Sequence, residues 1–143
     1  MVRQATKDDY PELLRMGEEF FRASGYASDM EFGVKEVTAT FDILLDNETL
    51  LIGEGAMLGF LIFPVFMAKE TLMSQELFWW VDKDRRGTRV GLKMLSEMER
   101  IAKSKGAKMC SMLCLDELSG DRVATLYKRL DYKPKERTYM KVL

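Results

Sequence analysis

The sequence predicts one domain of the α/β (α+β) class, spanning residues 1–143, in which helices and strands are intermixed along the chain. Four segments carry apolar residues at the spacing of a helix that packs one face against a core. Other segments are short apolar runs bounded by glycine or proline, which is typical of strands. No linker, repeat or biased segment separates these elements, and a chain of this length buries enough surface for a single core.

The first part of the chain predicts a short strand and two helices. The strand covers residues 2–5, and Thr6 followed three residues later by Asp9 is a capping box that begins a helix. This helix ends at Ser24-Gly25, and a polar loop over residues 26–30 follows. The apolar positions that then predict the second helix are Val34, Val37, Thr38, Phe41, Leu44 and Leu45.

The middle of the chain predicts three strands, over residues 50–52, through 59–63 and over 72–82. A tight turn at residues 53–55, Gly-Glu-Gly, joins the first two strands. Pro64 lacks a backbone N–H group, so it predicts a bulge or a sheet edge at the second strand.

The last third of the chain predicts a helix over residues 90–105, with Gly106 as the residue that ends it. A strand over 109–115 follows, and then a short helix capped by Ser119 or Asp121. Alternating apolar and polar residues predict a last strand over 138–142. The predicted element order is therefore β-α-α-β-β-β-α-β-α-β.

The absence of histidine excludes Ser-His-Asp and Cys-His nucleophile systems and histidine-ligated metals. Proton transfer must use a carboxylate, tyrosine, lysine or water. Cys110 and Cys114 are too few for an all-cysteine zinc site and do not form a C-x-x-C motif, so no metal is expected. We expect both to be buried free thiols of a protein in a reducing cytoplasm.

Charge and hydropathy argue against nucleic-acid-binding, secreted and membrane-spanning proteins. The 22 basic and 23 acidic residues nearly cancel, which disfavours a nucleic-acid binder that relies on broad phosphate neutralisation. Residues 1–10 carry charges of both signs and no apolar core, unlike a secretory signal. The longest apolar run, over 57–68, is too short and too broken to cross a membrane.

A cluster of cations lies at the predicted entrance to the third helix. A helix N-terminus is already partially positive, so cations there are costly unless an anion binds between them. Glycines allow a phosphate to approach the backbone, so the cluster predicts a pyrophosphate site. The cluster consists of Lys83, Arg85, Arg86, Arg89 and Lys93, interleaved with Gly87 and Gly91.

Residues 81–91, V-D-K-D-R-R-G-T-R-V-G, resemble motif A of the GNAT superfamily of N-acetyltransferases. In that motif a strand ending in V-x-P precedes Q/R-x-x-G-x-G/A and a helix. Lys83 replaces the usual proline, and Arg89 replaces the usual middle glycine, which restricts the local backbone. Together with F-W-W-V at 78–81, the segment is most similar to phage-encoded and bacterial members.

A second segment, residues 120–132, is similar to the family pattern N-x-x-A-x-x-L-Y-x-x-L-G-F. Leu126, Tyr127 and Leu130 match, whereas Gly120 replaces the asparagine that usually touches the cofactor. The predicted element order is also the family's order. The resemblance therefore implies a mixed, mostly antiparallel sheet of six to seven strands flanked by four helices.

The resemblance implies that the cosubstrate is acetyl-CoA. The strand at Trp79, Trp80 and Val81 would pair with pantetheine through its main chain, and Tyr127 would protonate the departing thiolate. The residues that would hold the pyrophosphate are Arg86, Gly87, Thr88, Arg89, Val90, Gly91 and Leu92.

The resemblance further implies direct attack of a neutral amine on the thioester in a ternary complex, with main-chain N–H groups near Trp80 and Val81 stabilising the oxyanion. The base must be a carboxylate acting directly or through water, because the chain has no histidine. We rank Glu76 first, and Asp116 and Glu117 remain alternatives.

The sequence does not determine the chemical class of the acceptor. In the family the acceptor site is lined by segments that correspond to residues 24–30 and 133–138, and a small amine, an amino acid, an aminoglycoside and a protein amine all fit. Two other functions compete: a CoA-binding module without turnover, and a toxin-like acetyltransferase acting on aminoacyl-tRNA, which the near-neutral charge disfavours.

We also expect a homodimer. Eight phenylalanines, two tryptophans and 11 methionines exceed what a small two-layer core needs. The surplus is expected at the edge near residues 64–67 and in the last strand, at 139–142, whereas a monomer with methionines filling core gaps is the alternative.

Overall fold

The computed structural model describes residues 1–118 and 120–143. It contains one five-stranded sheet and four α-helices. The elements in chain order are β1 Arg3–Gln4, α1 Tyr10–Ala23, α2 Val34–Asp46, β2 Leu50–Gly53, β3 Ala56–Pro64, β4 Leu72–Val81, α3 Val90–Ser104, β5 Ala107–Ser111 and α4 Gly120–Arg129. Short 3-10 turns occur at Lys7–Asp9, Tyr26–Ser28 and Lys83–Arg85.

The strands lie in the order in which they occur in the chain, β1-β2-β3-β4-β5. The first four are antiparallel: short connections join β2 to β3 and β3 to β4, whereas α1 and α2 lie between β1 and β2. Among the described strands only β4 and β5 are parallel, because α3 carries the chain back across the sheet before β5 begins. The α/β class and the mostly antiparallel sheet are confirmed.

Each face of the sheet is covered by helices. Leu13 and Met16 of α1 and Phe41 and Leu44 of α2 are fully buried against one face, where Trp80 also packs. The other face is covered by α3, whose fully or almost fully buried residues are Met94, Leu95, Met98 and Ile101. The sheet is thus buried on both sides, and a ligand has to enter at an edge or between strands.

The predicted helices are confirmed. Thr6 donates its N–H group to the carboxylate of Asp9 over 2.8 Å, as the capping box requires. Gly106 has φ +90°, a conformation that glycine adopts without strain, and it follows the end of α3. The predicted cap at Ser119 lies outside the described residues.

The strand count of six to seven is wrong, because the described residues form five strands. The alternation over 138–142 does not produce a strand, and Tyr139, Met140 and Val142 are largely exposed. A strand needs a partner for its backbone hydrogen bonds, and within the described chain no segment pairs with this one.

Two local predictions also change. Neither cysteine is a fully buried thiol: Cys110 is half-buried, and Cys114 is exposed because β5 ends at Ser111 and the chain turns away from the core before reaching it. Pro64 lies at the end of β3, opposite Leu72, and causes no bulge. The irregularity lies instead between Gly59 and Phe60, which pair with Phe78 and Glu76 and leave Leu77 as an extra residue in β4.

Candidate active site

The two parallel strands separate halfway along β4. Register pairs join Leu72 to Ala107 and end with Gln75 opposite Ser111. Beyond that point the Leu113 N–H group donates over 2.8 Å to the Glu76 carboxylate, which replaces the main-chain acceptor that a continuing ladder would supply. The predicted strand over 109–115 is therefore wrong at both ends: it begins two residues earlier and ends four residues earlier, at Ser111.

A cavity of about 720 Å³ opens where the strands part. It is bounded by the second half of β4, the loop that leads into α3, residues 113–118 and α4. Its position between two strands makes one edge of β4 accessible to a ligand.

The register shows which main-chain groups of β4 face the cavity. The Asp82 N–H group donates to the Gly55 carbonyl over 2.8 Å. Hydrogen-bonded and non-hydrogen-bonded pairs alternate along antiparallel strands, so Trp80 bonds to its partner Met57 in β3. The main-chain groups of Trp79 and Val81 point the other way, into the cavity. Of the two residues near which the oxyanion donor is expected, Val81 therefore directs its N–H group into the cavity, whereas Trp80 directs its N–H group to β3.

The loop between β4 and α3 has the backbone that an approaching anion needs. Gly87 has φ +84°, and nothing lies within 4 Å of the position where a Cβ would be. Arg89 has φ −81° and ψ −3°, an ordinary right-handed conformation, so its replacement of the family's glycine costs no strain. A Cβ on Gly91 would lie 3.3 Å from both Trp79 and Val81, so this glycine permits close packing of α3 on β4.

The cations around this loop differ in their partners. Arg85 forms an ion pair with Glu54 over 2.6 Å. Arg86 donates through Nε to the Val81 carbonyl over 2.9 Å, and its guanidinium lies 5.0 Å from the centre of the Trp80 ring. Within the described chain, no carboxylate forms an ion pair with Lys83, Arg86, Arg89 or Lys93. The region therefore carries unbalanced positive charge beside the N-terminus of α3.

The cavity brings together most, but not all, of the predicted cofactor residues. Its lining includes Trp79, Trp80, Val81, Arg86, Gly87, Thr88, Gly91 and Leu92. Arg89 and Val90 line a smaller hollow, of about 160 Å³, on the other side of the loop. Val90 also packs closely against Gly53 in β2, which makes it part of the packing between helix and sheet.

Glu76 is the one acidic side chain that is buried in the cavity lining of the described residues, with 4% of its surface exposed. Burial raises its pKa from 4.5 to about 7, although the hydrogen bond from Leu113 opposes this shift. Near neutral pH this carboxyl exchanges readily between its acid and base forms, which suits proton transfer.

Tyr127 lies on α4 and faces Glu76 across the chain at Leu113. Its hydroxyl donates to the Leu113 carbonyl over 2.7 Å, and its ring stacks on that of Trp79 with 6.1 Å between the centres. Burial, followed by the charge of Glu76, raises the pKa of Tyr127. The hydroxyl therefore keeps its proton and can donate it towards the cavity when it turns from Leu113.

The two alternative bases, Asp116 and Glu117, lie outside the cavity lining. Both are exposed. Glu117 packs beside Gly25, so it belongs to the rim near the α1–α2 loop. A Cβ on Gly120 would lie 3.3 Å from the Leu115 carbonyl, so glycine here lets α4 begin close to the chain that leaves β5.

Three participants in the site are not predicted by the sequence. Phe20 of α1 and Leu118 line the cavity, and Phe20 packs edge-on against Trp80 at 6.4 Å. Helical periodicity marks Phe20 only as apolar. Leu113 acts through its main chain, and a main-chain role leaves no sequence signal.

A third contact orients the Trp80 ring. Its Nε1 donates to Asp82 over 2.7 Å, and Asp82 also pairs with Arg15 of α1 over 2.6 Å. Asp82 is only two residues from Trp80, whereas Arg15 is 67 residues from Asp82 in the chain, so only the folded chain reveals that Arg15 completes this network.

Solved structures share this fold over nearly the whole chain. A transcriptional regulator from Bacillus halodurans C-125 matches with a TM-score of 0.79 and 15% identity, covering 99% of this chain and 97% of its own. The enzyme AAC(6')-Iy, in complex with the bisubstrate analogue CoA-S-monomethyl-acetylneamine, matches with a TM-score of 0.71 and 12% identity, covering 99% and 95%. Glucosamine-6-phosphate N-acetyltransferase from Arabidopsis thaliana matches with a TM-score of 0.68 and 16% identity, covering 99% and 96%.

No protein-family model matches the chain, and no curated protein matches it in sequence. Within the described residues, no helix is long and apolar enough to span a membrane.

Proposed function

We propose that this chain, which has the fold of the GNAT superfamily, is an acetyl-CoA-dependent N-acetyltransferase that acts on a primary amine. The observation that carries the proposal is the cavity between β4 and β5. It combines a free strand edge, an unbalanced cluster of cations and a buried carboxyl whose pKa lies near 7.

The cavity fits the parts of acetyl-CoA. The outward-facing main-chain groups of Trp79 suit an amide of pantetheine, which pairs as a short additional strand would, whereas the Val81 carbonyl already accepts from Arg86. The open space at Gly87 and the N–H groups of the first turn of α3 suit a pyrophosphate, with Arg86, Thr88 and Leu92 beside it. When bound, acetyl-CoA supplies the activated acyl group.

Three groups of the chain then carry out proton and charge transfer. Glu76, once ionised, takes a proton from the ammonium group of the acceptor, directly or through water. The Val81 N–H group donates a hydrogen bond to the carbonyl oxygen that becomes negative. The Tyr127 hydroxyl donates to the departing sulfur. The amine nitrogen would bond to the carbonyl carbon as the bond from that carbon to sulfur breaks, with no covalent enzyme intermediate. The second proton that the nitrogen loses would replace the one that Tyr127 gives to sulfur.

Acetyl-CoA and CoA should each raise the melting temperature. A ligand at about 100-fold above its Kd adds about 2.7 kcal/mol, and in a chain of this size we expect a rise of about 5–10 °C. Arg86→Ala and CoA lacking its 3′-phosphate should each reduce the rise, most clearly at low salt. Arg100→Ala is the matched control, because Arg100 pairs with Glu97 on the exposed surface of α3. An unchanged melting temperature at millimolar CoA would contradict the cofactor assignment.

Release of free thiol from acetyl-CoA in the presence of a panel of amines tests the reaction itself. Turnover with any amine excludes a CoA-binding module without activity. A protein that is stabilised by CoA and yet inert towards every class of amine in the panel would support that module instead.

A homodimer is a further part of the proposal. The outer edge of β5 is unpaired in the described chain, and the segment at 139–142 alternates without a partner. Phe66 is 92% exposed at the β3–β4 turn. A second copy that contacts the β3–β4 turn, or that pairs with the C-terminal segment, would cover these exposed groups.

Light scattering coupled to size exclusion measures the oligomeric state. We expect twice the 16.5 kDa of one chain at micromolar concentration. Val142→Lys should produce monomers if the C-terminal segment forms the contact, and Phe66→Ser should do so if the turn forms it. A mass of one chain at all accessible concentrations would refute the dimer.

A further inference from the structure

The two ends of the cavity have different chemistry. The arginines in its lining are Arg85 and Arg86, on the loop that leads into α3, and Arg122 and Arg129, on α4. At the other end Phe20 and Leu118 pack with Trp80 on the face that α1 and α2 cover. Arg86 lies where the two ends meet, because its guanidinium is 5.0 Å from the centre of the Trp80 ring. The lining therefore combines four arginines with a cluster of apolar side chains around Trp80.

Inside the rim that carries Asp116 and Glu117, the lining of the cavity offers little to a ligand with several positive charges. Of the described residues in the lining, Glu76 and Asp121 are acidic, and Asp121 lies next to Arg122 in the first turn of α4. Of these two carboxylates only Glu76 is buried. A buried carboxylate can balance one ammonium group, whereas further buried ammonium groups would each stay unpaired at a high cost.

The apolar surface favours a carbon skeleton next to that ammonium group. Phe20 and Leu118 are half-buried, so their remaining surface is available to a ligand that enters between them. Burying apolar surface is favourable in proportion to its area, and an aromatic ring gains more from it than a sugar whose hydroxyls lose water.

We infer that the acceptor is a small monoamine with an apolar or aromatic body, which lies between Phe20 and Leu118 with its single ammonium group at Glu76. The inference rests on the proposed function, because the cationic end of the cavity is assigned there to CoA. It excludes polycationic aminoglycosides as preferred acceptors, although some proteins with this fold act on them.

The test is binding of amines to the CoA-saturated protein, measured by calorimetry, which does not depend on turnover. The probes are 2-phenylethylamine, ethanolamine and the polycation kanamycin. We expect 2-phenylethylamine to bind at least about 10-fold more tightly than either of the others. Equal or tighter binding of ethanolamine or kanamycin, or no binding of 2-phenylethylamine, overturns the inference.

Two phenylalanines of α1 provide a matched pair of variants. Both are half-buried, but Phe20 lines the cavity, whereas Phe21 packs against Phe32 and does not. Phe20→Ala should weaken 2-phenylethylamine binding at least about 5-fold, and Phe21→Ala should change it less than about 2-fold. Equal effects of the two variants would contradict the placement of the ring.

A second variant reverses the charge preference. Leu118→Glu adds a carboxylate to the apolar end and should weaken 2-phenylethylamine binding while strengthening kanamycin binding. The rise in melting temperature with CoA shows that each variant is folded. If CoA did not raise the melting temperature of the unmodified protein, the proposed function would be contradicted. If CoA did raise it but 2-phenylethylamine did not bind most tightly, only the acceptor class would be contradicted.

Discussion

Tyr127→Phe should lower kcat for amine acetylation by about 10- to 1000-fold, which is the loss expected for a general acid. The substitution removes the hydroxyl that donates to Leu113 and leaves the ring stacked on Trp79. Stability should fall by about 1 kcal/mol, because the Leu113 carbonyl loses one hydrogen bond. Steady-state kinetics and thermal unfolding measure the two effects separately.

Tyr132→Phe is the control for this change. Tyr132 lies 5.7 Å from Tyr127 between ring centres, and its hydroxyl donates to Glu99 instead. The same atom is removed from a neighbouring ring, so kcat should stay within about 2-fold. If Tyr127→Phe retains full kcat, Tyr127 serves only to pack α4 against the sheet.

Glu76→Gln should lower kcat/KM by about 100- to 10,000-fold, the range for loss of a general base. Glutamine keeps an oxygen that can accept the Leu113 N–H group, so the separation of β4 and β5 is retained. CoA should therefore stabilise this variant as it does the unmodified protein. Glu76→Ala removes the acceptor as well and should also impair CoA binding, which separates the structural role of Glu76 from its chemical one.

Glu117→Gln and Asp116→Asn are the matched controls. Both carboxylates are exposed at the rim and should lose less than about 2-fold in kcat/KM. A large loss in either variant, with Glu76→Gln active, would transfer the role of base to that residue.

The raised pKa of Glu76 also predicts pH dependence. Activity should rise as the carboxyl ionises, with a midpoint near its pKa of about 7. Stability should change in the opposite direction. Between pH 4.5 and 7 the folded state holds a proton at Glu76 that the unfolded state has lost, so the free energy of unfolding falls as pH rises.

The size of this stability change is on the order of 3 kcal/mol across that window, about 1.4 kcal/mol for each pKa unit. Glu76→Gln cannot ionise, so it should flatten the pH dependence and melt at a higher temperature than the unmodified protein at pH 8. The same substitution would thus lower activity and raise stability. If the free energy of unfolding changed with pH in the same way in the two proteins, the raised pKa of Glu76 would be contradicted.

The motif residues before α3 show which features of the site a sequence pattern can predict. Gly87, Gly91 and the surrounding arginines predict an anion site because the properties required are local: conformational freedom, small size and charge. The structure finds Gly87 with positive φ and Gly91 against Trp79. The resemblance placed Glu76 on the strand before the motif and Tyr127 on the last helix, which are β4 and α4 in the structure. It did not specify how close the two side chains are to one another.

The sequence by itself determined the element order as far as α4, the four helices and the chemistry available without histidine, because periodicity, capping and turn residues act within a few positions of each other. Only the tertiary structure decided that Glu76 is buried and that Asp116 and Glu117 are not, because desolvation of a carboxyl depends on segments far away in the chain. It likewise decided that β5 ends at Ser111, where the Glu76 side chain takes the hydrogen bond of Leu113, and that residues 138–142 do not form a strand. Strand formation requires a partner, and alternation along one segment cannot specify which partner is present.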